Sequence, residues 1–275
     1  MSARLSNAGD LRDEVVIVTG AGRGIGRVVA ETLLDHGASV TIAARTESEV
    51  SEVVSANQAR GRRIMGVAVD VSDASSAQRL VDESTKRWGD ATVLVNNAGV
   101  AGAGQRVWEA DPEKWWKTFE VNLRAPMLLS RLVLPAMLEK GRGTIVNTGS
   151  YLAIHPHASH SDYAASKAAL ARFTDSLALE IGVHGPRVYT VSPGWVHSRV
   201  SDRFEAARQV PAAEWNAPDA MARLVVRLVR GEAPSLSGCF LHVRDDLDEL
   251  NRNANRIRED GLFQLRLVKL NGSLT

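Results

Sequence analysis

The chain has little of several residue types, and each scarcity limits what the protein can be. Among its 275 residues there is one cysteine, Cys239, which excludes an internal disulfide framework and a cysteine-cluster metal site and fits a reducing compartment. Neither sign of charge is in excess, since 33 Lys and Arg residues and 32 Asp and Glu residues give a formal net charge of +1. Nucleic acids and anionic membrane surfaces call for a basic excess, so neither is expected as a partner.

Long apolar runs are also missing. The most apolar long stretch, residues 127–138, is interrupted by Ser130, Arg131 and Pro135, whereas a membrane-spanning helix needs about 20 predominantly apolar residues. The first fourteen residues are polar and of mixed charge, without the apolar centre of a secretory leader. We therefore expect a soluble cytoplasmic protein.

Instead, the sequence alternates short apolar runs with longer segments of helical periodicity. The runs are nearly continuous in apolar and β-branched residues, which is typical of strands buried on both faces of a parallel sheet. Alternation of such strands with helices predicts a doubly wound α/β fold with right-handed crossovers. We predict one domain over residues 1–275, with a core at 15–243 and a helical C-terminal extension at 245–275. The predicted strands are residues 15–19, 40–43, 64–69, 92–95, 144–148, 187–191 and 240–243.

A glycine-rich turn follows the first predicted strand and opens the first helix. Gly20, Gly24 and Gly26 are spaced G-x-x-x-G-x-G, and the general fingerprint G-x-G-x-x-G is not matched because its third glycine would fall on Ile25. Glycines at this junction permit a tight turn and let a pyrophosphate approach the backbone at the positive end of the helix. The alternative is a purely structural turn, which its place in the first βα unit makes the weaker interpretation.

The end of the second strand indicates which dinucleotide is bound. NAD-binding proteins usually carry an acidic residue there that bonds the ribose 2′-hydroxyl, but this chain has Ala44 followed by Arg45. An arginine can bind a 2′-phosphate through two parallel hydrogen bonds, and Arg23 in the glycine turn could supply a second cation. The pattern favours NADP(H) over NAD(H), with a solvated surface arginine as the alternative.

The strongest catalytic signal is a tyrosine followed four residues later by a lysine. Tyr163 and Lys167 share one face of a predicted helix, and Ser150 follows the preceding strand at the sheet edge where ligands bind. Lowering a tyrosine pKa from 10 to about 7 takes roughly 4 kcal/mol, much of which a neighbouring ammonium can supply. Ser150 could then hold a substrate oxygen while Tyr163 moves the proton. A surface Tyr–Lys pair is the alternative.

In order and spacing, these motifs resemble those of the short-chain dehydrogenases/reductases. The resemblance covers about residues 15–243 and rests on residues 19–26, Asn96-Asn97-Ala98-Gly99, Ser150, Tyr163-x-x-x-Lys167 and Pro193-Gly194. It implies a seven-stranded Rossmann-type sheet and hydride transfer between a nicotinamide and a ketone or secondary alcohol. It also implies roles for four residues: Tyr163 as acid/base, Lys167 holding the nicotinamide ribose and lowering the tyrosine pKa, Ser150 positioning the substrate, and Asn122 completing the proton relay.

The resemblance further implies a set of cofactor contacts and an assembly. Besides Tyr163 and Lys167, the cofactor would touch Gly20, Arg23, Gly24, Ile25, Gly26, Arg45, Asp70, Val71, Asn97, Ala98, Gly99, Pro193, Gly194, Val196 and Ser198. A homodimer or homotetramer is expected through two long helices at residues 111–140 and 162–183. One departure stands after the last strand, where many relatives have an aspartate and two glycines and this chain has Arg244-Asp245-Asp246.

Two parts of the sequence leave function open. Residues 199–210 are expected to form a lid that varies with substrate, so the substrate is not identified. His155, His157 and His160 are interpreted as a polar wall of the substrate pocket, because no carboxylate or cysteine completes a tetrahedral metal site, and no metal is predicted. The rival functions are an NAD-dependent alcohol dehydrogenase on the same site and a non-catalytic dinucleotide-binding regulator. The intact set of Ser150, Tyr163, Lys167 and Asn122 argues against the regulator.

Overall fold

In a computed structural model, which describes residues 10–266, one sheet of seven parallel strands organises the chain. The strand order is β3-β2-β1-β4-β5-β6-β7, so the chain reverses its direction of winding between β1 and β4. This confirms the predicted doubly wound, Rossmann-type α/β fold. The strands are β1 Val15–Thr19, β2 Ser39–Ala44, β3 Ile64–Ala68, β4 Val93–Asn96, β5 Thr144–Thr148, β6 Arg187–Ser192 and β7 Phe240–His242.

Helices cover both faces of the sheet, because successive strand residues point to opposite sides. Val16 and Val18 of β1 join a core with α1 and α7, while Ile17 between them joins a second core with α3 and α5. The helices are α1 Gly24–Asp35, α2 Glu47–Gln58, α3 Ala74–Trp88, α4 Pro112–Phe119, α5 Ala125–Glu139, α6 Ser161–Ile181, α7 Pro218–Val229, α8 Leu247–Arg252 and α9 Ala254–Glu259.

The helix predicted over residues 111–140 is interrupted in its middle. Asp111 caps α4 by accepting hydrogen bonds from the amides of Glu113 and Lys114, but a π-helical turn at Glu120–Arg124 separates α4 from α5. In it, the Ala125 amide donates to the carbonyl of Glu120, five residues back. Asn122 is placed within this wider turn, where it faces the protein interior with no exposed surface.

Taken together, α4, the π turn and α5 span 28 residues, Pro112–Glu139, and this segment is long and apolar enough to cross a membrane by length and composition. This is weak evidence, because a core helix of a soluble protein meets the same test. Leu129, Val133 and Met137 of α5 are buried in the core against α3 and the sheet.

A chain of buried polar side chains runs beneath the carboxyl ends of three strands. Asn96 of β4 donates to Asn147 of β5 (2.8 Å), whose own amide donates to the Thr174 hydroxyl of α6 (2.9 Å). Thr190 of β6 donates to the same Thr174 hydroxyl at 2.8 Å. This network ties β4, β5 and β6 to the helix that carries Tyr163.

Within the helical extension predicted at residues 245–275, the structure has helices α8 and α9, which end at Glu259. The chain then returns to the edge of the sheet, where the Phe240 amide of β7 donates to the carbonyl of Phe263 at 2.7 Å. In the sequence, residues 264–270 alternate polar and apolar side chains, a pattern that predicts pairing or docking at a subunit interface. Of these, 264–266 lie beside α6, where Arg266 pairs with Asp175 (2.8 Å), and the rest fall outside the described residues.

Candidate active site

One large cavity of about 960 Å³ opens at the carboxyl ends of the strands. Its walls are the glycine turn, the end of β2 and the loops that follow β3, β4, β5 and β6. All but two of the site residues predicted from the sequence line it. The two exceptions are Gly26 and Asn122, which lie behind its surface.

The glycine turn is held in place by the ends of β1 and β4. The Thr19 hydroxyl accepts hydrogen bonds from the amides of Asn97 and Ala98 (both 3.0 Å), and the Asn97 side chain donates to the carbonyls of Thr19 and Gly20. A Cβ atom on Gly26 would lie 2.5 Å from the Gly20 oxygen and 2.4 Å from Asn97 Nδ2. Gly26 therefore permits close packing of the helix on the turn rather than contact with a ligand.

The turn also leaves a cradle that fits a dinucleotide. Helix α1 begins at Gly24 without a side-chain cap on its N-terminal amides, and a Cβ on Gly24 would meet nothing within 4 Å. Gly20 and Gly24 both have positive φ angles, +65° and +57°, which a glycine adopts at little cost. Uncapped amides at the positive end of a helix are a ready site for a pyrophosphate.

At the far end of this cradle the charges are more mixed than the sequence indicated. Arg23 and Arg45 both line the cavity as exposed side chains. Glu49, in the first turn of α2, lines it too and forms an ion pair with Arg23. Glu49 was not predictable as a site residue, because nothing in the local sequence shows that this helix position packs against the glycine turn.

Ser150, Tyr163 and Lys167 meet at the other end of the cavity. The Lys167 ammonium lies 5.8 Å from the centre of the Tyr163 ring and donates to the Thr148 carbonyl at 2.7 Å. Both residues are almost fully buried, with 7% of Tyr163 and 4% of Lys167 exposed. Helix α6 places them on one face, and the end of β5 brings Ser150 to the same point.

Burial dominates the acid–base properties of this group. It raises the pKa of Tyr163 above its usual value near 10, although a hydrogen bond with Ser150 acts in the opposite direction. It also lowers the pKa of Lys167 from 10.5 to about 8. The lowered tyrosine pKa expected from the sequence is not found in this closed site, because removal of both groups from water disfavours their charged forms. Tyr163 is therefore a phenol that can donate a proton.

Asn122 supports the site from behind. Its side chain accepts from the Val100 amide (2.9 Å) and donates to the Val100 carbonyl and to the Ser166 hydroxyl, both at 3.0 Å. A Cβ on Gly99 would lie 3.3 Å from Asn122 Oδ1 and 3.7 Å from Lys167 Nζ. Asn122 thus fixes the loop after β4 against α6, next to the lysine.

A neighbouring carboxylate, absent from the sequence-based site, fixes the same loop from the other side. Asp162 is buried and accepts hydrogen bonds from the Ala103 amide (2.7 Å), the Thr118 hydroxyl (3.0 Å) and the Tyr163 amide (2.8 Å). These bonds connect the loop after β4, helix α4 and the start of α6. In the sequence, Asp162 could have been noticed only as a charged residue directly before Tyr163.

Residues after β6 fold over the tyrosine. Phe204 is 5% exposed, and its ring packs edge-on against that of Tyr163 with the centroids 5.3 Å apart. Trp195 also packs against Phe204 (6.2 Å), and Leu152 and Val200 complete an apolar cluster. The segment predicted as a lid, residues 199–210, thus covers Tyr163 with an aromatic side chain.

Residues 213–216, which follow the lid and are here called its base, are hydrogen-bonded to the turn after β7. Arg244 donates to the Asn216 side chain (2.7 Å) and to the carbonyl of Ala213 (3.0 Å). Asn216 in turn donates to the carbonyls of Pro193 (2.9 Å) and Trp195 (2.7 Å), on the loop after β6. Arg244, where the sequence departs from the aspartate and two glycines of the resembled pattern, thus holds residues 213–216, and Asn216 connects these to the loop that precedes the lid.

The three histidines between Ser150 and Tyr163 do not form the predicted pocket wall. His155 stacks on Tyr151, and His160 is buried against Phe204 with the centroids 4.3 Å apart. None of them lines the cavity, and the rings of His157 and His160 pack against Phe204 of the lid instead. Within residues 10–266 no three His, Cys, Asp or Glu side chains are grouped to hold a metal ion.

Comparison with known proteins agrees with this geometry. A sequence model described as short chain dehydrogenase matches residues 14–209, more than half of the chain. The chain belongs to the short-chain dehydrogenase family. It is therefore an oxidoreductase of the type that binds a nicotinamide dinucleotide.

Individual relatives in this short-chain dehydrogenase family span most of the chain. A short chain dehydrogenase of Pseudocercospora fijiensis is 38% identical over 210 residues, covering 75% of this chain and 68% of that protein. The 3-oxoacyl-[acyl-carrier-protein] reductase FabG of Vibrio cholerae is 33% identical over 240 residues, covering 85% and 97%. The crystal structure of a putative gluconate dehydrogenase from Agrobacterium tumefaciens superimposes with a TM-score of 0.79 at 25% identity, covering 86% and 96%.

Proposed function

We propose that this short-chain dehydrogenase transfers hydride between NADP(H) and a ketone or secondary alcohol, with Tyr163 as the acid/base. The observation that carries the proposal is the meeting of Ser150, Tyr163 and Lys167 in the same cavity as the glycine turn. A phenol beside an ammonium, with a hydroxyl next to it, is equipped to protonate an oxygen. Arg23 and Arg45 at the other end support a cofactor with a 2′-phosphate.

In the reductive direction each residue has a definite task. The nicotinamide, when bound, supplies hydride to the carbonyl carbon. Ser150 donates a hydrogen bond to the carbonyl oxygen, and Tyr163 gives its phenolic proton to that oxygen to form the alcohol. The phenolate left on Tyr163 is stabilised by the Lys167 ammonium. In the oxidative direction the same proton returns to the tyrosine.

The apolar surroundings of Tyr163 support a carbonyl compound with an apolar substituent. Phe204, Trp195 and Leu152 offer ring faces and aliphatic carbon, and they also exclude water from the reacting oxygen. Exclusion of water strengthens each electrostatic interaction at the site.

We also propose self-association and a cytoplasmic location. Leu179 on α6 is 79% exposed and Trp116 on α4 is 57% exposed, and large apolar side chains exposed on two neighbouring helices support a homodimer or homotetramer. Cys239 is a free, buried thiol, which suits a reducing compartment. Light scattering of the purified protein and fractionation of the cell test the two points.

The test of the activity is a panel of ketones and secondary alcohols, followed by the absorbance of the reduced nicotinamide. Tyr163→Phe should lower turnover by about a hundredfold or more, because general acid–base catalysis contributes at least that factor. It should leave the Kd of the cofactor nearly unchanged. Tyr189→Phe is the matched control, since Tyr189 is a fully buried tyrosine outside the cavity. Wild-type turnover in Tyr163→Phe would reject the assignment.

A further inference from the structure

Glu49 lies among arginines at the end of the cavity where the proposed 2′-phosphate site is placed. Its Oε1 atom forms an ion pair with Arg23, and Arg199 Nη2 approaches the same oxygen to 3.7 Å. Its other oxygen, Oε2, would lie 3.1 Å from a Cβ on Gly22. The carboxylate is therefore packed against the glycine turn and half-buried, with 24% of its side chain exposed.

Three segments of the chain converge on this carboxylate. Arg23 belongs to the glycine turn, Glu49 to the first turn of α2, and Arg199 to the lid that follows β6. Arg45 directly follows β2, before α2, and all four side chains line the same cavity. The cationic site predicted from Arg23 and Arg45 thus contains a fixed negative charge.

A carboxylate at this place acts differently on the two nicotinamide cofactors. A 2′-phosphate carries about two negative charges, is repelled by Glu49, and competes with it for the Arg23 guanidinium. A ribose 2′-hydroxyl has no charge and can donate a hydrogen bond to a carboxylate. A carboxylate at this place is therefore expected to disfavour the 2′-phosphorylated cofactor and to leave the other unaffected.

We infer that Glu49 is a specificity-determining residue that limits the preference of this enzyme for the 2′-phosphorylated cofactor by occupying Arg23. The inference rests on the proposed function, because it takes Arg23 and Arg45 as the 2′-phosphate site. It adds a negative determinant that sequence comparison of the strand end alone does not show. It also ties cofactor choice to the lid, since Arg199 shares the carboxylate.

The test is an equilibrium titration of the full-length protein with NADPH and with NADH, followed by quenching of tryptophan fluorescence at low ionic strength. For Glu49→Gln we expect the ratio of Kd for NADH to Kd for NADPH to rise roughly tenfold, with the change mainly in NADPH. Added salt should reduce this gain, because the site is partly exposed and screened. Adenosine 2′-phosphate and adenosine 5′-phosphate, titrated in the same way, isolate the subsite from the nicotinamide.

Glu52→Gln is the matched control. Glu52 lies on the same helix and pairs with an arginine, Arg27 (2.9 Å), but it does not line the cavity. An unchanged Kd ratio in Glu49→Gln, or an equal change in Glu52→Gln, would overturn the inference. Glu49→Ala provides a second variant of the same charge change if the glutamine variant does not fold.

The same titration separates failure of this inference from failure of the proposed function. If the wild-type protein binds NADH more tightly than NADPH and Glu49→Gln shifts the ratio toward NADPH, the proposed NADP(H) preference is wrong and the role of Glu49 stands. If the wild-type protein prefers NADPH and Glu49→Gln changes nothing, the role of Glu49 is wrong and the preference stands. A protein that binds neither dinucleotide overturns both.

Discussion

Lys167 is a buried ammonium, and its replacement by methionine should stabilise the fold at neutral pH while removing activity. Burial lowers its pKa from 10.5 to about 8, and at about 1.36 kcal/mol per pH unit this corresponds to about 3 kcal/mol. The side chain is 4% exposed, so solvent screening does not reduce this figure greatly. The free energy of unfolding of the wild-type protein therefore includes a penalty for holding this charge away from water.

The penalty depends on pH in a definite direction. Because the pKa of Lys167 is lower in the folded protein, the unfolded chain binds more protons between about pH 8 and 10.5, and the contribution of this group to the free energy of unfolding rises with pH in that window. Below pH 8 both states carry the charge and the whole penalty is present. Above about pH 10.5 neither does, and the penalty is gone.

The measurement is urea-induced unfolding of the wild type and of Lys167→Met at pH 7 to 10.5. As the pH rises, the free energy of unfolding of the wild type should increase by about 3 kcal/mol relative to that of the variant. The variant also loses the hydrogen bond to Thr148, which adds an offset that does not depend on pH. Buried Cys239 and Tyr189, whose pKa values burial raises, destabilise both proteins alike at high pH and cancel in the difference.

Lys140→Met provides the control for this comparison. Lys140 is 42% exposed and pairs with Asp90 at the surface. The free energy of unfolding of Lys140→Met should therefore follow that of the wild type across the pH range. If Lys167→Met also follows the wild type from pH 7 to 10.5, the ammonium is not desolvated in the folded protein, and burial of Lys167 carries no penalty.

Three further predictions concern the ends of the cavity and the core. Arg45→Asp should raise the Kd for NADPH by about tenfold or more and spare that for NADH, and equal effects on both in a titration would exclude a phosphate role. Arg244→Ala should release the base of the lid and speed tryptic cleavage within residues 198–211 several-fold, whereas an unchanged rate would show that the fastening does not depend on Arg244. Cys239 should not react with a thiol reagent at pH 8 until the protein unfolds, because burial raises its pKa to about 12; immediate reaction would contradict its burial.

The strands were predictable from sequence because their signal is local. Residues 15–19 and 144–148 are runs of β-branched and apolar residues that no helix face would bury completely, and the structure has these strands with the predicted bounds. The residues that line the cavity were also predictable from the sequence. The carboxyl ends of parallel strands share one edge of the sheet, so motifs placed after strands are brought together by the topology.

The interruption of the long helix could have been predicted from one residue. Pro126 has no amide hydrogen, so it cannot donate to the carbonyl of Asn122 four residues earlier. A helix that loses this bond can adopt the wider π turn observed at Glu120–Arg124. Apolar periodicity alone gave no sign of it, because the segments on either side keep their buried faces.

The charge network of the site was not predictable, because it joins residues far apart in sequence. Glu49 meets Arg23 across 26 residues, and Arg244 meets Asn216 across 28. Such pairs are determined by how helices and loops settle on the sheet, and not by local propensity. The burial of Tyr163 under Phe204 is of the same kind, and it reversed the expected direction of the tyrosine pKa.

The polar chain from Asn96 through Asn147 to Thr174 and Thr190 has a consequence for how accurately the site is built. Side chains alternate between the two faces of a strand. A slip of β5 by one residue would therefore turn Asn147 away from Thr174 and leave its amide without a hydrogen-bond partner among apolar groups. Each buried polar group left without a partner costs about 1–3 kcal/mol. The same slip would carry Ser150 about 3.3 Å along the strand, beyond reach of the phenol. The buried polar residues thus select the single register of β5 in which Ser150 and Tyr163 meet.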